Sequence, residues 1–84
     1  MPKIYIDLFD LSTVNELCKI CDKYKRLFET DILCGRYIVD GCSVLGVTSM
    51  LGHTVEIRPL AFDKDDEFIM NLISIGAYIK GDDK

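Results

Sequence analysis

No apolar run in this 84-residue chain approaches the roughly 20 residues of a membrane-spanning helix, so integral membrane insertion by a helix is not expected. Basic side chains are in deficit: 10 Lys and Arg stand against 14 Asp and Glu, for a formal charge of −4. That balance removes the usual electrostatic attraction to nucleic acid or to an anionic membrane surface, and neither partner is expected. The chain has a single histidine, no paired-carboxylate motif, no glycine-rich phosphate loop and no Ser-His-Asp set. Acid–base catalysis thus lacks its commonest agent, and an enzyme is not expected. The opening Met1-Pro2-Lys3-Ile4 carries no apolar export segment followed by a small-residue cleavage site, which points to a cytoplasmic protein. Repeats, low-complexity stretches and linkers are also missing, so residues 1–84 read as a single domain.

Apolar residues, by contrast, are plentiful. They form 49% of the chain against 29% charged, too apolar a balance for disorder. A chain of this size buries only about 60–65% of the surface its unfolded form exposes, so each apolar position counts.

Four cysteines, Cys18, Cys21, Cys34 and Cys42, could form two disulfides or a zinc site. Without an export signal the disulfides lose their oxidising compartment. Cys18 and Cys21 have C-x-x-C spacing, but a redox pair opens a helix, where the helix N-terminus depresses the thiol pKa. Here the pair falls in mid-helix on the apolar stripe of Val14, Leu17, Tyr24 and Phe28. Buried core thiols are therefore expected, with no metal and no cofactor. Zinc would need Cys34 and Cys42 brought onto that helix face. The lone His53 reads as a strand-entry residue.

Lys3 to Phe9 alternates as a strand, with Ile4, Ile6 and Leu8 on one face and Tyr5, Asp7 and Phe9 on the other. Thr13 with Glu16 predicts a capping box at the start of the first helix, with Ser12 as the alternative cap. The helix's apolar face runs through Val14, Leu17, Cys18, Cys21, Tyr24 and Phe28. Glu29 to Cys34 and Arg36 to Asp40 predict a hairpin turning near Gly35. Ser43 is the expected N-cap of a short helix over Val44 to Met50, with Gly52 ending it. His53 to Leu60 is the next strand, with Pro59 near its end. Asp63, Asp65, Asp66 and Glu67 precede a last helix whose apolar face is Phe68, Ile69, Leu72, Ile75 and Ile79. Residues 81–84 read as a frayed tail. The order β-α-β-β-α-β-α predicts an α+β fold with one sheet, helices on one face and the other face open.

That order in about 85 residues resembles the HPr phosphocarrier family of the bacterial sugar phosphotransferase system. The resemblance is most specific at Gly41-Cys42-Ser43-Val44-Leu45-Gly46-Val47, similar to the family's serine opening the second helix, two apolar residues and a glycine. Gly52-His53-Thr54-Val55-Glu56-Ile57 resembles the family's glycine-led last strand, and acidic residues precede the final helix. The resemblance implies an open-faced β-sandwich with a four-stranded antiparallel sheet.

The family's catalytic motif, glycine-x-histidine-x-arginine-proline at the start of the first helix, has no equivalent here. The matching stretch is Asp10-Leu11-Ser12-Thr13-Val14-Asn15, with Ser12 in the histidine's place, Val14 in the arginine's and Asn15 in the proline's. A phosphoserine is a stable ester and cannot pass phosphate onward as a phosphoimidazole does. The lost arginine removes the fork that would hold phosphate oxygens. The chain is also a few residues shorter than the family between Met50 and His53.

Ser43 matches the serine that a bifunctional HPr kinase phosphorylates in the family, although it also has the bland role of a helix cap. Val44, Leu45 and Val47 correspond to an apolar patch that docks partners, or they are core. The resulting expectation is a non-catalytic binding or regulatory protein related to the phosphotransferase system. Its partners would be phosphotransferase-system or HPr-kinase-type proteins, and the uncovered sheet face could support a homodimer. Two alternatives stand beside it: an active phosphocarrier with His53 as an unrecognised acceptor, and a thiol- or zinc-binding protein on the same scaffold.

Overall fold

The computed structural model describes residues 3–60 and 66–81. Strands β1 (Lys3–Leu8), β2 (Glu29–Cys34), β3 (Tyr37–Asp40), β4 (His53–Leu60) and β5 (Tyr78–Lys80) alternate with helices α1 (Leu11–Tyr24), α2 (Val44–Thr48) and α3 (Asp66–Ser74). The class is α+β, with one open antiparallel sheet in the order β3-β2-β4-β1-β5.

The arrangement contains two interlocked crossovers. Both β1 and β2 run antiparallel to β4, so β1-α1-β2 is a β-α-β unit with β4 inserted between its strands. In the same way β4-α3-β5 encloses β1. Each crossover lays its helix over the sheet, and the alternation of the strands decides which face is covered. Ile4, Ile6 and Leu8 of β1, Val55 and Ile57 of β4 and Thr30 and Ile32 of β2 are buried on that face. Against them pack Val14, Leu17, Cys18, Cys21 and Tyr24 of α1, Val47 of α2, and Phe68 and Leu72 of α3. An aromatic cluster closes one end: Phe68 meets Tyr24 and Phe28 edge-on at 5.2 and 5.0 Å between centroids.

Several boundaries depart from expectation, each for a physical reason. The sheet has five strands where four were expected. The last helix does not run on to Ile79; it stops at Ser74 because Gly76 adopts a φ of +109°, the left-handed conformation that glycine tolerates. Gly76 N donates to the Ile73 carbonyl and Ala77 N to the Leu72 carbonyl, the two bonds of a Schellman cap, while the apolar partners Leu72 and Ala77 are both buried. The chain then reverses and Tyr78–Lys80 pairs with β1, stacking Tyr78 on Tyr5 at 6.1 Å. Ile79 is thus a strand residue beside Ile4.

At the other end of the chain, α1 starts three residues earlier than a Thr13 cap allows. Asp10 is the N-cap: its Oδ1 accepts from Thr13 N at 2.8 Å and from the Thr13 hydroxyl at 2.9 Å. A carboxylate outcompetes the Ser12 and Thr13 hydroxyls for this position because it accepts both donors at once. The helix ends at Tyr24, four residues short of Phe28, where a tight turn brings the Phe28 ring back against Tyr24. Ser43 caps α2 as expected, accepting from Gly46 N at 3.3 Å, but the helix is only five residues long. Of the acidic residues before α3, Asp66 and Glu67 lie in its first turn; Asp63 and Asp65 fall outside the described residues.

Candidate functional site

The residues singled out in the sequence fall in three places. The first is the start of α1. Ser12 is exposed in the first turn of the helix, immediately after the Asp10 cap. Hydrogen bonds from the Thr13 backbone and hydroxyl, with a smaller contribution from the Ser12 backbone, hold the Asp10 carboxyl below the usual carboxylate range. The donors that make a helix N-terminus attractive to an incoming anion are here directed at the chain's own carboxylate. Val14 is fully buried between α1 and the sheet, so its side chain belongs to the core and not to the surface at the helix start. Asn15 is exposed.

The second place is α2, which lies along α1. Ser43 is exposed, and so are Val44 at 48% and Leu45 at 87% of their full areas. Val47 is not part of this surface; it is completely buried as part of the core. The close approach of α2 to the sheet depends on Gly46, where an added Cβ would lie 3.1 Å from the Val39 Cβ. A groove of about 390 Å³ runs between the two helices, lined by Asn15, Cys18, Lys19, Asp22, Cys42 and Val44.

Phe9 and Leu11 at the start of α1 and Leu51 after α2 are further exposed apolar side chains. They are 64%, 55% and 39% exposed. Gly52 N donates to the Leu8 carbonyl, which sets Leu51 beside Phe9 at the end of β1. Phe9 sits in the alternating run of β1, so the sequence marked it as the far side of a strand; the strand ends at Leu8, and Phe9 belongs to the turn. Exposed apolar side chains occur elsewhere too, including Met70 and Ile73 on α3.

The third place is the hairpin end of the sheet. His53 is paired with Leu8 in the β1–β4 ladder, so pairing carries it close to the β1–α1 turn despite the sequence separation. It is exposed, and it shares a groove of about 520 Å³ with Cys34, Arg36, Tyr37, Ser49 and Met50.

All four cysteines are free. Cys18 and Cys21 are buried on the inner face of α1, whereas Cys34 and Cys42 are partly exposed. Burial pushes the Cys21 thiol up to about 12, with further contributions from Cys42, Cys18 and Asp40. Burial likewise raises Cys18, and burial followed by Asp40 raises Cys42. These are the opposite of the shifts that make a thiol nucleophilic. Among the described residues no three His, Cys, Asp or Glu side chains are grouped to hold a metal ion. No helix among them is long and apolar enough to cross a membrane.

Set against protein-family models, curated proteins and solved structures, the chain finds no match in any of the three comparisons.

Proposed function

We propose that this chain is an HPr-like binding or regulatory protein of the cytoplasm that docks other proteins through the α1–α2 surface and does not carry phosphohistidine. The observation that carries this reading is the Asp10 cap. A carboxylate occupies the α1 N-terminus, the exposed residue in the phosphoacceptor's place is Ser12, and the position of the family's arginine is the buried Val14. Phosphoryl transfer at this point would bring a polyanion against a fixed negative charge with no guanidinium to receive it. The element order, the open sheet face and the capped Ser43 support kinship with the HPr fold, with β5 as an added edge strand.

Docking falls to Phe9, Leu11, Val44, Leu45 and Leu51, the exposed apolar side chains of these two adjoining segments. Partners of the phosphotransferase-system or HPr-kinase type would bury them, with Ser43 at the edge of the contact as the candidate regulatory phosphorylation site. Truncating a central apolar anchor of such a surface costs binding severalfold to a hundredfold.

A second reading has one specific support. His53 and Arg36 line the same groove, so an imidazole and a guanidinium share one surface there. One experiment separates the two. The intact mass is measured after incubation with Enzyme I and phosphoenolpyruvate, alongside an authentic HPr. No adduct, with the control phosphorylated, supports the non-carrier reading. An acid-labile, base-stable adduct that disappears in His53→Ala overturns it in favour of a carrier.

A further inference from the structure

The face of the sheet that none of the described helices covers carries an ordered pattern of charge. The register aligns side chains into rows across the strands, because facing residues in neighbouring strands point the same way. One row is Ile38, Leu33, Glu56, Tyr5 and Tyr78, running from β3 to β5. Beside it lies a row that begins with Asp40 and Asp31, passes Arg58, and ends with Lys3 and Lys80. Two like-charged pairs therefore face each other directly: Asp31 against Asp40 at one edge and Lys3 against Lys80 at the other. Within one chain such pairs are unfavourable.

Little within the chain relieves them. Arg58, opposite Asp31, is drawn to Glu56 at 3.3 Å, and one Asp40 oxygen accepts from Cys42 N at 2.9 Å. Among the described residues neither Lys3, Lys80 nor Asp31 has an ion-pair partner.

We propose that this face binds the same face of a second copy of the chain. β4 is the middle strand of five, so a two-fold axis parallel to the strands and passing over β4 lays β3 of one copy over β5 of the other, and β2 over β1. That operation sets Asp40 over Lys80 and Asp31 over Lys3, twice each. Ile38 falls over Tyr78 and Leu33 over Tyr5. Glu56 and Arg58 lie on the axis, so each falls over its own counterpart, with the two charges offset by the Arg58–Glu56 ion pair inside each chain. The two repulsive pairs within each chain become four attractive contacts between chains, and the interface is isologous, as two-fold symmetry requires. Open antiparallel sheets stack face to face in this aligned manner.

Five strands spaced ~4.8 Å apart and about 20 Å long offer roughly 400 Å² per copy. The total of about 800 Å² is below the size of a standard interface and belongs to weak, transient contacts, so the dimer forms only at high protein concentration. It leaves the α1–α2 surface free and does not depend on the docking reading.

Sedimentation of the full chain from 10 μM to 1 mM tests this, in 50 mM and 500 mM sodium chloride. Concentration-dependent dimerisation that weakens in the higher salt is expected. Lys3→Glu and Asp31→Lys are each expected to weaken it more than tenfold. Their equimolar mixture is expected to restore it to within about threefold of the original, because all four Asp/Lys positions away from the axis are then paired with the opposite sign. Lys80→Glu, at a fully exposed edge strand, serves if either variant shows a lowered unfolding midpoint. A chain that stays monomeric at 1 mM overturns the proposal. So does a dimer that none of these substitutions weakens, or a mixture no stronger than its components.

Discussion

Gly41 and Cys21 are in contact so close that no side chain fits between them: a Cβ on Gly41 would lie 2.6 Å from the Cys21 Sγ and 3.2 Å from the Thr30 carbonyl oxygen. Gly41 N donates to that same carbonyl at 2.8 Å. The turn from β3 into α2 is therefore pressed onto Cys21 in the last turn of α1, and Cys42 and Val44 come to line one groove with Asn15 and Cys18. Gly41→Ala is expected to destabilise the protein by about 1–3 kcal/mol, as overpacking of a filled core does. Adding Cys21→Ala should make the combined loss smaller than the sum of the two single losses. Urea unfolding of the four variants gives the coupling directly; strict additivity would show that the contact is not the constraint.

Thr30 presents the reverse case. Its hydroxyl oxygen is buried with no hydrogen-bond partner, although its backbone carbonyl is satisfied by Gly41. Valine has nearly the same shape and no polar atom to desolvate. Thr30→Val is accordingly expected to raise the unfolding free energy by about 1 kcal/mol. A loss of similar size would mean that the hydroxyl is satisfied in solution.

The buried thiols make stability fall in alkali. Cys21 is pushed from the ordinary thiol value of 9.0 up to about 12, chiefly by burial, so between these limits the unfolded chain releases a proton that the folded chain retains. The contribution is whole below pH 9 and is lost as pH rises toward 12. Cys21→Ala should flatten that decline in a series of unfolding curves above pH 8. In the native protein at pH 8, a thiol reagent should modify the partly exposed Cys34 and Cys42 first. Cys18 and Cys21 should react only at the rate of opening.

Asp10 gives the acid limb. Its folded pKa lies below the ordinary 3.8, because Thr13 donates two hydrogen bonds to the carboxylate. The stabilisation is present above pH 3.8 and disappears as pH falls through the folded value. Asp10→Ala should lower the melting temperature at pH 7, and the gap from the parent protein should close as the pH is brought below 3. Circular dichroism melts at several pH values measure this; a gap independent of pH would assign the effect to helix propensity alone.

The two strands β2 and β4 begin and end at the residues that alternation and turn chemistry indicated, and Ser43 caps the helix its sequence position suggested. These features depend on neighbours within a few residues. The functional surface was less legible. Val44 and Leu45 were visible as apolar residues at a helix start, but Val47 in the same run is core, Phe9 was read as a strand residue, and Leu11 and Leu51 were not singled out. Hydropathy reports that a side chain is apolar; it does not report which side of a five-residue helix another element will cover.

The amino-acid order alone determined the order of elements from β1 to α3, the α+β class and the apolar faces of β1, β4 and α1, because side-chain period is a local property. The structure shows Asp10 and not Thr13 capping α1, a choice among three candidate caps within four residues that is still local to the first turn. Only the tertiary structure decided that Tyr78–Lys80 leaves the helix to extend the sheet: a left-handed glycine ends α3, but the free edge of β1 is what receives the chain. The pairing of His53 with Leu8 and the gathering of aspartates at one edge and lysines at the other arise in the same way. Strand register joins residues far apart in the chain, and no local pattern encodes it.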